Sequence, residues 1–399
     1  MLGRIKDKVL AGERVSRGEA LELFETDDIF SLGNLASHVA EKKNGRNVFY
    51  IRNRHINPTN ICINRCRFCA FSRSKGEEGT YELTIDEIIQ KIQPYYSDPP
   101  SPLFSKDNPP SPSISKDNPS PPFNSPLSKG GYRGVKGGQG GIREVHIVGG
   151  LHPDWPFQYY LNMLSAIKKN FSELSIKAFT AVEIDYMSRI SELSLEEILL
   201  ALQKHGLDVM PGGGAEIFDS KVRSRLCPEK ISGERWIEVM ETAHGLGIKT
   251  NATMLYGHIE NYEHCVNHLL VLRDLQDRTG GFQAFIPLSY HPKGNEIGGS
   301  FSSGIDDLKT MAVSRIVLDN FDHITAYWIM LGEKISQLSL LFGADDLSGT
   351  VVEEKITHSA GALSAESMTP EELTHLIKMA GKVPVERDCF YRQVGSGKN

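Results

Sequence analysis

From residue 55 onward, short apolar runs take turns with longer runs at helical spacing. The short runs predict strands over 55–61, 144–149, 175–181, 207–211, 249–255, 282–287, 323–328 and 349–353. The longer ones predict helices over 84–96, 157–170, 194–205, 232–246, 260–277, 305–320 and 333–342, with a last one over 369–381. A period of two suits a pleated strand, and a period of 3.6 suits an amphipathic helix. Strands that alternate with helices imply a parallel sheet, because parallel neighbours need a crossover between them. Eight such units predict an α/β fold, a closed (β/α)8 TIM-type barrel. Upstream, residues 1–47 read as a helical segment. Leu21, Leu23 and Phe24 sit among Glu19, Glu22 and Glu25, and Ile29 to Ala40 repeats at helical spacing behind Asp27 or Asp28 as N-cap. This layer is expected to close one end of the main domain. Val48-Phe49-Tyr50-Ile51 follows as a short strand, the barrel spans 48–360, and 361–399 forms a C-terminal helix and tail.

The stretch over 97–141 breaks the alternation. Asp98-Pro99-Pro100-Ser101-Pro102, Lys106-Asp107-Asn108-Pro109-Pro110-Ser111-Pro112 and Lys116-Asp117-Asn118-Pro119-Ser120-Pro121-Pro122 repeat one theme, and a glycine-rich tail follows. So little apolar surface cannot offset the entropy of ordering, so a disordered insertion is expected. It falls between the first helix and the second strand, on the side of the barrel away from active sites.

Chemistry concentrates at the strand ends. The first strand runs into Cys62, Cys66 and Cys69, spaced Cys-x3-Cys-x2-Cys. Soft thiolates on one short loop can hold three irons of a cubic [4Fe–4S] cluster, leaving one iron open to another ligand. A Cys3His zinc site completed by His55 is the competing reading, which would make the chain a zinc-stabilised binding protein. Zinc sites of that type usually draw on two separated pairs. Later strands end in Gly149-Gly150-Leu151-His152-Pro153, Glu183-Ile184-Asp185, Gly212-Gly213-Gly214-Ala215-Glu216, Tyr256-Gly257-His258-Ile259-Glu260 and Tyr290-His291-Pro292. Each has a plainer reading: glycine pairs permit tight turns, and Glu183, Glu216 and Glu260 suit helix entries. His264 and His268 share one helical face without a third ligand, so a solvated face is expected. Cys227, Cys265 and Cys389 read as structural thiols.

Composition adds exclusions. A formal net charge of -6 and a pI near 6.1 argue against nucleic acid as a partner. Clustered and scattered cysteines fit a reducing compartment, and no apolar run is long enough for a bilayer or a signal peptide. A cytoplasmic protein without membrane contact is expected.

Asn57-Pro58-Thr59-Asn60 with Cys62, Cys66, Phe68, Cys69, Ala70 and Phe71 resembles the cluster loop of the radical S-adenosylmethionine (SAM) superfamily. Glu144 to Pro153, Lys177 to Asp185, Asp208 to Phe218 and Asn251 to Glu260 narrow the resemblance to the menaquinone futalosine-pathway enzymes and their deazaflavin-cofactor relatives. Within that branch the blocks most resemble the aminofutalosine synthases. The resemblance covers the chain except 97–141. It implies a [4Fe–4S] cluster on Cys62, Cys66 and Cys69, with SAM as consumed co-substrate on the open iron. It implies addition of the 5′-deoxyadenosyl radical to the dicarboxylate enol ether 3-[(1-carboxyvinyl)oxy]benzoate, giving 6-amino-6-deoxyfutalosine, methionine and bicarbonate. The electron would come from a donor such as flavodoxin or ferredoxin. For SAM the resemblance points to Phe68, Gly149 and Gly150 and, at the ribose, Glu183. Aromatic walls could come from Phe68, Tyr256, Tyr290 and Trp328. Carboxylate partners could come from Arg73, His152, His258, His291 and Lys293, with His258 and His291 foremost. The alternatives within the branch are a cyclic dehypoxanthinyl futalosine synthase and a deazaflavin-forming enzyme.

Overall fold

A computed structural model describes residues 2–96 and 141–395, so the expected insertion lies, apart from Gly141 at its end, outside the described residues. The chain opens with helices α1 (Leu2–Leu10), α2 (Arg17–Glu25) and α3 (Ile29–Asn44) and strand β1 (Asn47–Ile51). Seven parallel strands then stand side by side in chain order: β2 (Asn53–Ile56), β3 (Glu144–Ile147), β4 (Ser175–Ala178), β5 (Val209–Met210), β6 (Lys249–Tyr256), β7 (Phe282–Ser289) and β8 (His323–Ile324). The crossovers carry α4 (Ile85–Ile92), α5 (Phe157–Asn170), α6 (Ala181–Ser191), α7 (Leu195–Lys204), α8 (Ser220–Leu226), α9 (Gly233–Gly245), α10 (Tyr262–Thr279) and α11 (Gly304–Val317), and α12 (Trp328–Ser339) follows β8. The chain finishes with β9 (Asp346–Gly349), α13 (Ile356–Ser359), α14 (Pro370–Met379) and β10 (Val383–Glu386).

The segment around β9 closes the ring. Asp345 N donates to Ile324 O (3.1 Å) and Ala326 N to Asp346 O (2.8 Å) on one side; on the other, His55 N donates to Val352 O (3.1 Å). Residues 345–352 thus bridge β8 to β2 and take the eighth place, close to the strand predicted over 349–353. A second sheet of three parallel strands, ordered β10-β1-β9, continues from this seam. The sequence pattern gives no strand at β10, whose Val383-Pro384-Val385 has little alternation to read. Helices α2 and α3 lie against α10 and α11.

Local chemistry sets the boundaries. Strand β2 stops at Ile56 rather than 61, two residues before Pro58, which has no N–H for a ladder. The strand predicted through 181 stops at Ala178, because Thr180 and Glu183 form a capping box that starts α6. Similarly, 328 is not strand: Tyr327 is the N-cap of α12, and the buried Trp328 indole donates to Gly349 O (2.8 Å).

Along β3 and β4, Val145, Ile147, Ile176 and Ala178 are fully buried beneath the helices. The residues between them, His146 and Lys177, face the inside of the ring, as do His55 and Asn251. A parallel strand covered on both faces normally reads as a continuous apolar run. Polar residues at alternate positions therefore mark an interior that is a cavity rather than packed core. Among the described residues, no helix is long and apolar enough to cross a membrane.

Candidate active site

The cysteine loop is fastened by its backbone to three neighbours. Cys62 N donates to Arg73 O (3.0 Å), Ile63 N to Leu151 O (3.0 Å) and Arg67 N to Leu226 O (3.0 Å). Asn60 secures the return: its amide donates to Gly79 O (2.9 Å) and accepts from Tyr81 N (2.9 Å). Cys62, Cys66 and Cys69 are free thiols that all line one cavity of about 330 Å³ inside the ring, whereas Cys227, Cys265 and Cys389 do not. Cys227 is buried in the small apolar cluster that also holds Cys66. Burial raises the Cys62 thiol and pushes Cys66 up to about 12. Such thiols lose their protons on metal binding rather than before it. Three thiols on one rim fit a cluster held by three thiolates. His55, the fourth ligand of the competing zinc reading, stands on β2 with its ring 4.5 Å from that of His146 on β3 rather than on the cysteine loop.

Gly149 and Gly150 sit where β3 meets this loop. A Cβ on Gly150 would stand 2.1 Å from Ile61 O and 3.1 Å from the Cys62 Cβ. The loop can approach the strand end only because no side chain is there. Gly149 N donates to Glu183 Oε1 (3.3 Å), and Glu183 Oε2 accepts from Thr180 N (2.7 Å) and Thr180 Oγ1 (2.9 Å). Glu183 is thus the helix cap of the plainer reading and also a cavity residue. Burial pushes its carboxyl up to about 7 against these hydrogen bonds. Its oxygens keep lone pairs for further donors.

Phe68, Tyr290 and His291 line the same cavity. The Tyr290 hydroxyl donates to Asn295 Oδ1 (2.6 Å). His291 Nε2 lies 3.0 Å from Met330 O, and its buried Nδ1 has no partner. Burial lowers the His291 pKa.

The structure places other expected site residues elsewhere. Arg73 donates to the carbonyls of Ala70 (2.9 Å) and Ser72 (2.8 Å), so its guanidinium braces the cysteine loop from behind. His152 is 1% exposed, stacks on Trp155, and its Nδ1 accepts from Asp154 N. Tyr256 is buried in the outer layer and donates to Asp307 Oδ1 (2.7 Å). His258 is enclosed, with Nδ1 2.9 Å from Glu260 Oε2 and Nε2 3.0 Å from Leu255 O. None of the four lines the cavity. Trp328 is likewise a clamp on Gly349, and Lys293 is exposed. His268 is not on a solvated face: it is buried, stacks on Phe218 and bonds Thr253 O (2.9 Å).

Other cavity residues had no motif to reveal them. Lys230 lies 4.9 Å over the Phe68 ring and pairs with Glu216. Burial alone would lower its pKa; nearby Cys66 and Glu216 outweigh that and raise it. Deeper in the ring, His55, His146 and Lys177 stand in register on β2, β3 and β4. The tail contributes Arg387, which donates to Asp346 Oδ2 (2.6 Å) and lies 3.9 Å over the Tyr391 ring. The polar–apolar alternation of Glu144-Val145-His146-Ile147 was the available signal for such a row.

Comparison with known proteins agrees with this layout. Residues 134–272 match the family model of the radical SAM superfamily, and 279–398 that of the CofH/MqnC C-terminal region. The chain is 41% identical over 395 residues to aminodeoxyfutalosine synthase of Thermus thermophilus, covering 98% of this chain and 95% of the relative. It is 38% identical to aminodeoxyfutalosine synthase of Streptomyces coelicolor, covering 97% and 92%. It is also 37% identical to 5-amino-6-(D-ribitylamino)uracil–L-tyrosine 4-hydroxyphenyl transferase of Methanococcoides burtonii, covering 98% of each. Among solved structures, methylornithine synthase shares the fold with a TM-score of 0.69 at 16% identity, covering 95% of this chain and 96% of that one.

Proposed function

The chain belongs to the radical SAM superfamily, in the branch of the aminodeoxyfutalosine synthases, and we propose that it joins the 5′-deoxyadenosyl group of SAM to 3-[(1-carboxyvinyl)oxy]benzoate. The products would be 6-amino-6-deoxyfutalosine, methionine and bicarbonate, a step of menaquinone biosynthesis. The observation that carries this reading is one cavity lined both by the three thiols of the cysteine loop and by His55, His146 and Lys177 of adjacent strands, whose side chains can donate to a carboxylate. When bound, the [4Fe–4S] cluster and SAM supply the 5′-deoxyadenosyl radical.

The remaining tasks belong to the chain. Cys62, Cys66 and Cys69 would bind the cluster. Gly149 and Gly150 leave room beside the loop for the methionine part of SAM, and the Glu183 carboxylate accepts from the ribose hydroxyls. Phe68 and Tyr290 keep water from a radical that would otherwise react with whatever lies nearest. His291 meets the enolpyruvyl carboxylate with its unpartnered Nδ1. A carboxylate there favours protonation of the ring, turning Nδ1 into a donor. Flavodoxin or ferredoxin would deliver the electron to the loop.

The similarity to the hydroxyphenyl transferase supports a second reading, in which the acceptor is 5-amino-6-(D-ribitylamino)uracil and the donor L-tyrosine. Anaerobic incubation with SAM, a reductant and each acceptor, followed by mass spectrometry, separates the two. A covalent adenosyl product from the enol ether supports the proposal. Free 5′-deoxyadenosine as main product, formed with L-tyrosine or with dehypoxanthinyl futalosine, sinks it.

A further inference from the structure

We propose that His55, His146 and Lys177 form the receptor for the ring carboxylate of the acceptor, an inference that rests on the reading above. The three residues are register partners on adjacent strands, His55 beside His146 and His146 beside Lys177, and all three line the cavity. The two imidazole rings are 4.5 Å apart. His55 is 5% exposed, and its Nε2 is buried with no hydrogen-bond partner. A buried polar atom left unpaired in the empty protein normally marks a place where something else completes the hydrogen bond.

The charge balance indicates what completes it. Lys177 Nζ lies 3.1 Å from Glu144 Oε2, and both side chains are buried. That contact is an ion pair in which Glu144 Oε2 makes no hydrogen bond, so ammonium donors remain for a second oxygen. The imidazoles add neutral donors without bringing another buried charge. Donors of this kind on one wall suit a carboxylate. Position indicates which carboxylate. His146 precedes Gly149 by three residues, about 10 Å of extended chain at roughly 3.3 Å per residue. With the reacting alkene held near Gly149 and the cysteine loop, the far end of the aromatic ring lies along the strands. The row therefore reads the benzoate group, and the enolpyruvyl carboxylate stays at the mouth with His291.

The test uses the anaerobically reconstituted holoenzyme with SAM, a reductant and either 3-[(1-carboxyvinyl)oxy]benzoate or the analogue without the ring carboxylate, (1-carboxyvinyl)oxybenzene. If the unaltered enzyme forms no adenosyl adduct from the benzoate, the functional reading fails and the receptor falls with it. With that adduct established, His55→Gln and Lys177→Gln should each raise KM for the benzoate about 10- to 100-fold, as expected for a charge-assisted hydrogen bond. KM for the analogue should change about 2-fold or less. Equal losses on both acceptors, or an unchanged KM for the benzoate, overturn the receptor while leaving the reaction standing. Lys177→Gln alone strands Glu144, so the double variant E144Q/K177Q is measured beside it. The same selective rise in KM is expected there, and its absence overturns the proposal even where the single variant fails to fold.

Discussion

The mouth of the barrel and the wall formed by β2, β3 and β4 are held in opposite ways. At the mouth, backbone bonds backbone: Cys62, Ile63 and Arg67 donate to carbonyls of three different segments, and Gly150 makes room by lacking a side chain. On the wall, side chain meets side chain: Lys177 with Glu144, His55 against His146, Arg387 with Asp346. Backbone bonding holds a loop in place whatever the protonation of its side chains. Buried ionisable groups hold a binding surface only in one charge state. The position of the cysteine loop thus rests on backbone that does not titrate, whereas the wall rests on side chains that do.

The largest effect that can probe this contrast is at the mouth. Cys66→Ala should abolish cluster binding and SAM cleavage while circular dichroism shows the barrel intact. Iron content and turnover measured together check it, and retention of a full cluster would contradict the assignment. Gly150→Ala comes next. Its Cβ would meet Ile61 O at 2.1 Å, so the loop must shift, and kcat should fall about 100-fold as for an ångström-scale misplacement.

At the floor the effect is on stability. Arg387→Met leaves the fully buried Asp346 carboxylate unpaired, and urea unfolding should show a loss of about 3–5 kcal/mol. Adding Asp346→Asn should recover much of it. The smallest effect is on the acid limb. Burial holds His55 and His146 down to about 3, so both are neutral in the folded protein at pH 7. Their ordinary value is near 6.5, so below that pH the unfolded chain takes up protons that the folded one refuses. Stability from each is complete above about pH 6.5 and falls towards pH 3, by at most about 1.4 kcal/mol per pH unit per histidine. His146→Asn should flatten that slope, and an unchanged slope would show that the ring is charged in the fold.

The same contrast explains what the sequence made legible. Cys62, Cys66 and Cys69 lie within eight residues, so spacing alone declares them. The alternation of strands and helices gave the barrel, since each unit is local. It could not foresee α6, because Thr180 and Glu183 cap a helix inside what reads as the end of a strand. The histidine and lysine row needs strands β2, β3 and β4 in register, which no single segment states. His152 and His258 stand at strand ends, where reactive groups are expected, yet His152 stacks on Trp155 and His258 meets Glu260, outside the cavity lining. Arg387 and Tyr391 reach the cavity from a tail with no pattern of its own.

The most direct measurement follows the 5′ carbon of SAM. The holoenzyme is incubated anaerobically with SAM labelled with 13C at that carbon, a reductant and 3-[(1-carboxyvinyl)oxy]benzoate, and the products are separated and read by NMR. Label bonded to carbon in a benzoate-containing nucleoside is the expected result. Label found only in free 5′-deoxyadenosine, with the enol ether unchanged, would contradict it.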